Sequence, residues 1–195
     1  MASALVVFDL DDTLIDTKGT LLPAALRRTA DALGIAVEAL DSSGKTVEQV
    51  VSRLAPLARD RLEAARAAWY DPQVPPLTPL PGARDLIARL RGRVHLVLLT
   101  RGAEARQNNK IDATGLRSLF DVVVIRSVES DGSKRDDLLA LMQRFGVPAR
   151  RCVVVGDDPD DELAHAADLG CRTIRVPETP LPEIPDRLRA FGLLS

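Results

Sequence analysis

The sequence predicts an α/β fold in which helices cover both faces of a parallel sheet, and two observations support this prediction. Short apolar stretches rich in valine, isoleucine and leucine recur along the chain, and segments of helical periodicity separate them. Near-continuous apolar stretches are typical of strands buried on both faces, and strands that alternate with helices are typical of parallel sheets. The predicted strands are Leu5–Leu10, Val94–Leu99, Val122–Ile125, Cys152–Val155 and Cys171–Val176.

Glycine, proline and N-capping side chains mark the helices between these strands. A glycine directly after a helical pattern ends the helix, and an acidic or hydroxyl side chain just before the pattern begins one. The helices predicted on these signals are Ala83–Arg91, Ser133 or Lys134 to Phe145, a helix from an N-cap at Asp158 to Gly170, and a short one at Pro185–Phe191.

The segment between the first strand and Pro81 is predicted to form a separate, all-helical domain. It contains no strand pattern, and it is longer than the single helix that usually joins two parallel strands. Its helical patterns lie at about Leu22–Leu33, at Thr46–Ala55, and from Pro56 or later to Trp69. We therefore expect a core domain of residues 1–16 and 79–195 and an inserted helical domain of residues 17–78.

The composition argues against several classes of partner and compartment. The net charge of −2 gives no basic excess to bind nucleic acid or an anionic membrane surface. No apolar stretch approaches the roughly 20 residues that cross a bilayer, and the N-terminus lacks the pattern of a signal peptide. Cys152 and Cys171 lie in apolar, strand-like stretches rather than at metal-binding spacing. We therefore expect a cytoplasmic protein with reduced cysteines and without a nucleic-acid or membrane partner.

Side chains that could carry chemistry follow each of the first four predicted strands. The carboxyl ends of parallel strands meet at one edge of the sheet, where ligands bind. Acids, a hydroxyl group and a lysine at one edge suit phosphoryl transfer, which needs a nucleophile, donors for phosphate oxygens and a cation. These residues are Asp9, Asp11 and Asp12 after the first strand, Thr100 and Arg101 after the second, Lys134 beyond the third, and Asp157, Asp158, Asp160 and Asp161 after the fourth.

In the order of these motifs the chain resembles the haloacid dehalogenase-like (HAD) hydrolase superfamily, in its phosphatase branch. Asp9-Leu10-Asp11-Asp12-Thr13 matches the family's Asp-x-Asp-x-Thr, and Thr100 matches the hydroxyl residue that ends an apolar strand. Lys134 matches the lone lysine that comes third, and Gly156–Asp161 matches Gly-Asp-x-x-x-Asp. The resemblance implies a Rossmann-like three-layer core with a parallel sheet, and it implies that the inserted helices form a small cap.

The resemblance also implies a reaction. The chain would be a magnesium-dependent phosphatase, an enzyme that hydrolyses a small-molecule phosphate monoester through an aspartyl-phosphate intermediate. Asp9 would attack the phosphorus as the nucleophile. Asp11 would first protonate the leaving oxygen and then deprotonate the incoming water.

The remaining motif residues would bind the metal ion and the phosphate. The implied ligands of Mg²⁺ are the carboxylate of Asp9, the backbone carbonyl of Asp11 and the carboxylate of Asp157. Asp161 would be a further ligand or a residue that contacts the ligands. The implied phosphate-binding residues are Thr100, Arg101 and Lys134. Arg101 stands where the family often has asparagine, so it could instead meet a second anionic group of the substrate or form an ion pair with an acid.

The third motif departs from the family pattern. The family's lysine is usually followed by proline, whereas Arg135 follows Lys134 here. Lys110 is the alternative lysine, although a position in the middle of a helix places it poorly for this role.

Other functions stay open beside the phosphatase. A phosphomutase of the same family differs mainly in the acceptor that reaches the phospho-enzyme, and a catalytically silent binding or regulatory protein would keep only the fold. Dehalogenases of the family lack the second aspartate, so Asp11 argues against that activity. The stretch Ala39–Thr46 is one glycine short of a nucleotide-binding loop and follows no strand, and Thr46 with Gln49 has the spacing of a helix capping box.

The identity of the substrate and the oligomeric state do not follow from the sequence. Sugar phosphates, phosphoglycolate and nucleotides all remain candidates, because substrate choice in the family depends largely on the cap. The cap residues that could contact substrate are Arg27, Arg28, Lys45, Arg53, Trp69 and Tyr70. The other interpretation of these residues is a solvated basic face and an aromatic pair that packs a small helical core.

Overall fold

The computed structural model describes residues 4–128 and 132–194, so residues 1–3, 129–131 and 195 of the predicted core domain lie outside the described residues. The chain divides into two compact units, one made of residues 1–16 and 76–195 and the other of residues 17–75. The strands of the first unit are β1 (Leu5–Phe8), β2 (His95–Arg101), β3 (Val122–Arg126), β4 (Cys152–Gly156) and β5 (Arg172–Arg175).

Both units contain α-helices and short 3-10 turns. Those of residues 17–75 are α1 (Thr17–Thr20), α2 (Leu22–Leu33), α3 (Val47–Val50) and α4 (Arg59–Trp69), with a 3-10 turn at Val37–Ala39. Those of the first unit are α5 (Ala83–Leu90), α6 (Glu104–Thr114), α7 (Lys134–Phe145), α8 (Glu162–Asp168) and α9 (Ile184–Ala190), with 3-10 turns at Arg117–Leu119, Ala149–Arg151 and Leu181–Glu183.

The five strands form one parallel sheet in the order β3-β2-β1-β4-β5. The first strand lies at the centre, and Phe8 at its end pairs with Leu98 of β2 and Val155 of β4. The chain continues in line with the sheet, since the N–H of Asp9 donates to the carbonyl of Val155 at 2.9 Å. The predicted parallel α/β fold is therefore confirmed, and the ends of three neighbouring strands bring their following residues to one edge.

Alternate side chains of β1 pack into different cores, because successive residues of a strand point to opposite faces. Val6 and Phe8 pack with apolar residues of α5, α6 and α9. Leu5 and Val7 pack with residues of α7 and α8. Helices thus cover both faces of the sheet, as the continuous apolar strands predicted.

The chain turns sharply after β1, and Asp12 takes the left-handed conformation in that turn, with φ +56°. Its N–H donates to the carbonyl of Ile15 at 2.8 Å, and the N–H of Leu14 donates to the carbonyl of Leu10 at 2.9 Å. Aspartate and asparagine tolerate this conformation better than other residues with a Cβ atom. The fourth position of the first motif therefore shapes the loop that carries its neighbours.

Replacing Asp12 with valine is expected to lower the free energy of unfolding by about 1–2 kcal/mol, because a β-branched residue is strained at positive φ. Asp12→Asn is the matched control and should stay within about 0.5 kcal/mol of the parent chain. Urea denaturation of the three proteins measures the difference. Equal stability of the valine and asparagine variants would contradict the assigned turn.

One predicted helix start is wrong. The helix after β4 begins at Glu162 and not after an N-cap at Asp158. The Asp158 carboxylate instead accepts a hydrogen bond from the N–H of Asp160 at 3.0 Å, which is a local turn that competes with the helix. The first turn of the predicted helix is consequently a loop. Which side chains of α8 are buried therefore depends on a helix that begins at Glu162.

The unit of residues 17–75 has its own apolar core and contains helices as its regular elements. Trp69 is buried in this core and Tyr70 packs against it. The helix predicted at Thr46–Ala55 is shorter than expected, since α3 ends at Val50. The capping box of Thr46 and Gln49 is present, so the sequence around Lys45 starts a helix rather than forming a nucleotide-binding loop.

No helix in the described part of the chain combines the length and the apolar character that a bilayer crossing requires.

Candidate active site

Asp9 directly follows β1, and the residue is buried at the carboxyl end of this central strand. The residue is only 7% exposed. Lys134 Nζ donates a hydrogen bond to Asp9 Oδ1 at 2.9 Å, and the lysine is 5% exposed. Two residues 125 positions apart in sequence therefore form a buried ion pair, as expected if both motifs converge on this edge.

Lys134 is placed by the helix start at which it stands. Ser133 is the N-cap of α7, and its side chain and that of Asp136 form a capping box around the first turn. Lys134 is the first helical residue, and its ammonium also contacts Glu162 Oε2 at 2.8 Å and Asp161 Oδ2 at 3.3 Å. Three carboxylates of two separate segments therefore share one ammonium group.

The charges at this edge shift the proton affinities of both partners. Burial raises the pKa of the Asp9 carboxyl to about 8; the Lys134 ammonium opposes the rise, while the carboxylates of Glu162 and Asp11 add to it. Burial alone would lower the pKa of Lys134, but the carboxylates of Asp9, Glu162 and Asp161 raise it above its ordinary value. The lysine is therefore a fixed cation, and the acids around it carry more negative charge than it neutralises.

The arrangement of the acids fits a divalent cation. Carboxylate oxygens of Asp9, Asp157 and Glu162 lie within 4.8 Å of one another. Carboxylate oxygens of Asp158, Asp161 and Glu162 form a second group within the same distance. Oxygen ligands of this kind are those that Mg²⁺ prefers. The predicted ligands Asp9 and Asp157 are thus brought together, whereas Asp161 belongs to the second group.

Glu162 is the acid that the sequence analysis missed. It is 2% exposed, whereas the side chain of Asp161 is 33% exposed. Its Oε2 accepts from Lys134 and its Oε1 accepts from the N–H of Asp158 at 3.0 Å. Gly156 makes room for it, because a Cβ atom there would lie 2.1 Å from Glu162 Oε1.

Asp11 lies on the side of the edge that faces α6 and contacts two side chains of that helix. Lys110 Nζ donates to Asp11 Oδ1 at 2.8 Å, and Gln107 Nε2 donates to Asp11 Oδ2 at 2.9 Å. The Lys110 side chain reaches the sheet edge from the buried face of its helix. It meets Asp11, while Lys134 takes the place beside Asp9.

Thr100 and Arg101 end β2 at the same edge but differ in exposure. Thr100 is 1% exposed, and its hydroxyl accepts a hydrogen bond from Gln107 Nε2 at 2.6 Å. Arg101 is exposed, and its backbone carbonyl lies 3.3 Å from the same amide nitrogen. Thr100 is thus built into the network around Asp11, whereas Arg101, the next residue, is exposed.

Arg28 and Arg53, two of the inserted-domain residues that could contact substrate, have side-chain partners within their own unit. Arg28 Nε donates to the carbonyl of Ala68 at 3.3 Å and lies 3.5 Å from Asp71. Arg53 forms an ion pair with Asp41 at 3.4 Å. Arg27 and Lys45 are exposed.

Comparison with known proteins places these motifs in a family context. A model of the haloacid dehalogenase-like hydrolase family matches residues 4–167. The phosphoglycolate phosphatase of Synechococcus elongatus is 30% identical over 179 residues, a match that covers 88% of this chain and 82% of that enzyme. The pyrimidine 5'-nucleotidase YjjG of Escherichia coli is 33% identical over 100 residues, which cover 49% of this chain and only 44% of the nucleotidase.

Solved structures give the same architecture. A HAD-superfamily hydrolase of subfamily IA from Geobacter sulfurreducens superposes with a TM-score of 0.69 at 22% identity, over 96% of this chain and 97% of the other. At this level of identity the likeness concerns the fold.

Proposed function

We propose a specific function for this chain from the following premise: the chain belongs to the haloacid dehalogenase-like hydrolase family and is a hydrolase of phosphate esters. The proposed function is that of a magnesium-dependent phosphatase of small phosphate monoesters. The observation that carries the proposal is the buried Asp9 carboxylate, which follows the central strand, pairs with Lys134 and lies beside Asp157. A carboxylate in this setting can act as a nucleophile, because a fixed cation is already present to attract the phosphate.

Asp9 is the proposed nucleophile. Its Oδ2 attacks the phosphorus, the bond from phosphorus to the ester oxygen breaks, and an aspartyl-phosphate forms. A carboxylate and a phosphate dianion at 4 Å repel each other by about 4 kcal/mol per charge pair at an effective dielectric constant near 20. Lys134, which holds Asp9 Oδ1, offsets part of this repulsion.

Asp11 is the proposed proton carrier. It gives a proton to the leaving ester oxygen and so releases a neutral alcohol. It then takes a proton from the water that attacks the aspartyl-phosphate, which releases inorganic phosphate and restores Asp9. Thr100 and Lys134 are the proposed donors to phosphate oxygens, and Arg101 is proposed to meet the phosphate or a second anionic group of the substrate.

The metal ion is proposed to bind Asp9 and Asp157, with the Asp11 carbonyl and Asp161 as further ligands; Glu162 offers one more carboxylate within reach of the first two. When bound, Mg²⁺ would neutralise the charge that the nucleophile and the phosphate bring together.

We also propose that the helical unit of residues 17–75 acts as the cap that selects the substrate. The enzyme is proposed to work in the cytoplasm, where its cysteines stay reduced.

A phosphate-release screen tests the proposed function. The purified chain is incubated with 4-nitrophenyl phosphate and with sugar phosphates, phosphoglycolate and nucleoside monophosphates, with Mg²⁺ and again with EDTA. We expect release of inorganic phosphate with Mg²⁺ and a loss of about 100-fold or more with EDTA, because the negative charge that the nucleophile and the phosphate bring together would then lack the metal ion that neutralises it. Transfer of phosphate to a second sugar hydroxyl without release would indicate a mutase, and no turnover of any ester would contradict the proposal.

A further inference from the structure

We propose that Gln107 and Lys110 are positioning residues, which hold the carboxylate of Asp11 and the hydroxyl of Thr100 in the orientations that the reaction needs. This inference rests on the proposed function and adds two residues to it. Neither side chain belongs to the motifs by which the chain resembles its family in sequence.

The buried face of α6 carries polar groups where a core would normally be apolar. Gln107 is 1% exposed and Lys110 is 5% exposed, beside Ile111 at 0%. Burial of a lysine is costly unless the charge is paired, and Lys110 is paired with Asp11 at 2.8 Å. A helix face that places an ammonium and an amide against one carboxylate serves that carboxylate rather than the packing.

The orientation of the Gln107 amide follows from its partners. A carboxylate only accepts hydrogen bonds, so the amide nitrogen of Gln107, and not its oxygen, must face Asp11. The same nitrogen lies 2.6 Å from Thr100 Oγ1, which therefore accepts this hydrogen bond. The hydroxyl proton of Thr100 then points elsewhere and can be donated to a phosphate oxygen.

Lys110 and Gln107 hold both oxygens of the Asp11 carboxylate. Oδ1 accepts from Lys110 and Oδ2 accepts from Gln107. Two donors from one rigid helix fix the rotation of the carboxylate, which a single donor would leave open. The same helix thereby couples the position of Asp11 to that of Thr100 at the end of the neighbouring strand.

Gly102 makes room for this arrangement. A Cβ atom at this position would lie 2.7 Å from Cγ and 2.8 Å from Cδ of Gln107, closer than real side chains approach. The glycine that follows Thr100 and Arg101 is thus required by the position of the Gln107 side chain.

Leaving-group dependence tests the inference. A general acid matters more for a poor leaving group, so kcat/KM is measured with Mg²⁺ for 4-nitrophenyl phosphate and for phenyl phosphate. In Lys110→Met and Gln107→Leu, kcat/KM for phenyl phosphate should fall about tenfold further than kcat/KM for 4-nitrophenyl phosphate. Asp11→Asn is the benchmark and should show the same selectivity to a larger degree. A merely structural loss would lower both values by the same factor.

Controls separate this inference from the proposed function. Arg89→Met and Gln143→Leu remove a cation and an amide from exposed positions of α5 and α7 and should leave both values unchanged. If Asp11→Asn shows the selectivity and the two α6 variants do not, the positioning roles are wrong and the proposed function stands. If Asp11→Asn shows no selectivity, the role proposed for Asp11 fails and the inference fails with it.

Crystal structures of the two variants give a second readout that does not depend on turnover. We expect the Asp11 carboxylate to rotate away from its present position in Lys110→Met, and the Thr100 hydroxyl to lose its donor in Gln107→Leu. Lys110→Arg should restore the contact and at least half of the selectivity. An unmoved Asp11 in both variants would overturn the inference.

Discussion

Replacing Asp9 with asparagine is expected to lower the turnover of 4-nitrophenyl phosphate by about 10⁴-fold or more, to the background of the assay. An amide cannot attack phosphorus as a carboxylate does, and no phosphorylated enzyme can form. Asparagine has the same shape, so the contacts around the site stay in place. Initial rates with Mg²⁺ measure the loss of turnover. Mass spectrometry of enzyme quenched in acid during turnover shows whether the phosphorylated enzyme, which is expected in the parent chain, is absent in the variant.

Stability separates the loss of chemistry from the loss of fold in this variant. The pKa of Asp9 is raised by its burial, which means that the fold bears a cost for the charged form, and the neutral amide removes that cost. Asp9→Asn should therefore unfold at the same urea concentration as the parent chain or a higher one. Asp85→Asn on the exposed face of α5 is the matched control and should keep full activity. Parent-like turnover in the Asp9 variant would overturn its assignment as the nucleophile.

The residues at the strand ends could be predicted because the sheet is parallel. Apolar strands are legible in the sequence, and a parallel sheet collects the residues that follow them at one edge. Asp9, Thr100 and Asp157 are each within a residue of a strand end. The structure places Asp9 beside Asp157 and gives Thr100 a buried contact, although the chemical roles of all three remain predictions.

The helix-borne residues could not be predicted in the same way. A polar residue in a helical pattern is usually solvated, and whether it is buried depends on how the helix lies against the sheet. Gln107, Lys110 and Thr114 recur with Ile111 on the face of α6 that packs against the sheet. Their spacing of three and four residues in the sequence is the pattern from which this buried face could have been predicted, because polar residues in a stripe that faces the core indicate a buried hydrogen-bond network.

The misplaced start of α8 explains why Glu162 was missed. A helix with Asp158 as its N-cap puts Asp161 in the first turn and gives Glu162 no special position. The local turn at Asp158 delays the helix, and Glu162 becomes its first residue, with Ala166 one turn later on the buried side. A shift of a few residues in one helix start thus decides which acid reaches Lys134.

Lys134 gives the second large effect. Lys134→Met is expected to lower turnover of 4-nitrophenyl phosphate by about 10³-fold and the free energy of unfolding by about 3–5 kcal/mol, because Asp9 and Glu162 would be left buried without their counter-charge. Arg135→Met removes a cation from the next, exposed position of α7 and should change neither quantity appreciably. Steady-state rates and urea denaturation of both variants measure the two effects.

A second substitution distinguishes the structural role of Lys134 from its catalytic role. Glu162→Gln in the Lys134→Met background removes one of the unpaired buried charges while keeping the oxygen that accepts from the N–H of Asp158. Stability should recover by about 1–2 kcal/mol, whereas turnover should stay low, because a phosphate dianion arriving at Asp9 would still lack the ammonium group that Lys134 holds beside that carboxylate. Recovery of turnover together with stability would mean that Lys134 serves the fold alone, and the phosphate-binding role proposed for it would have to be withdrawn.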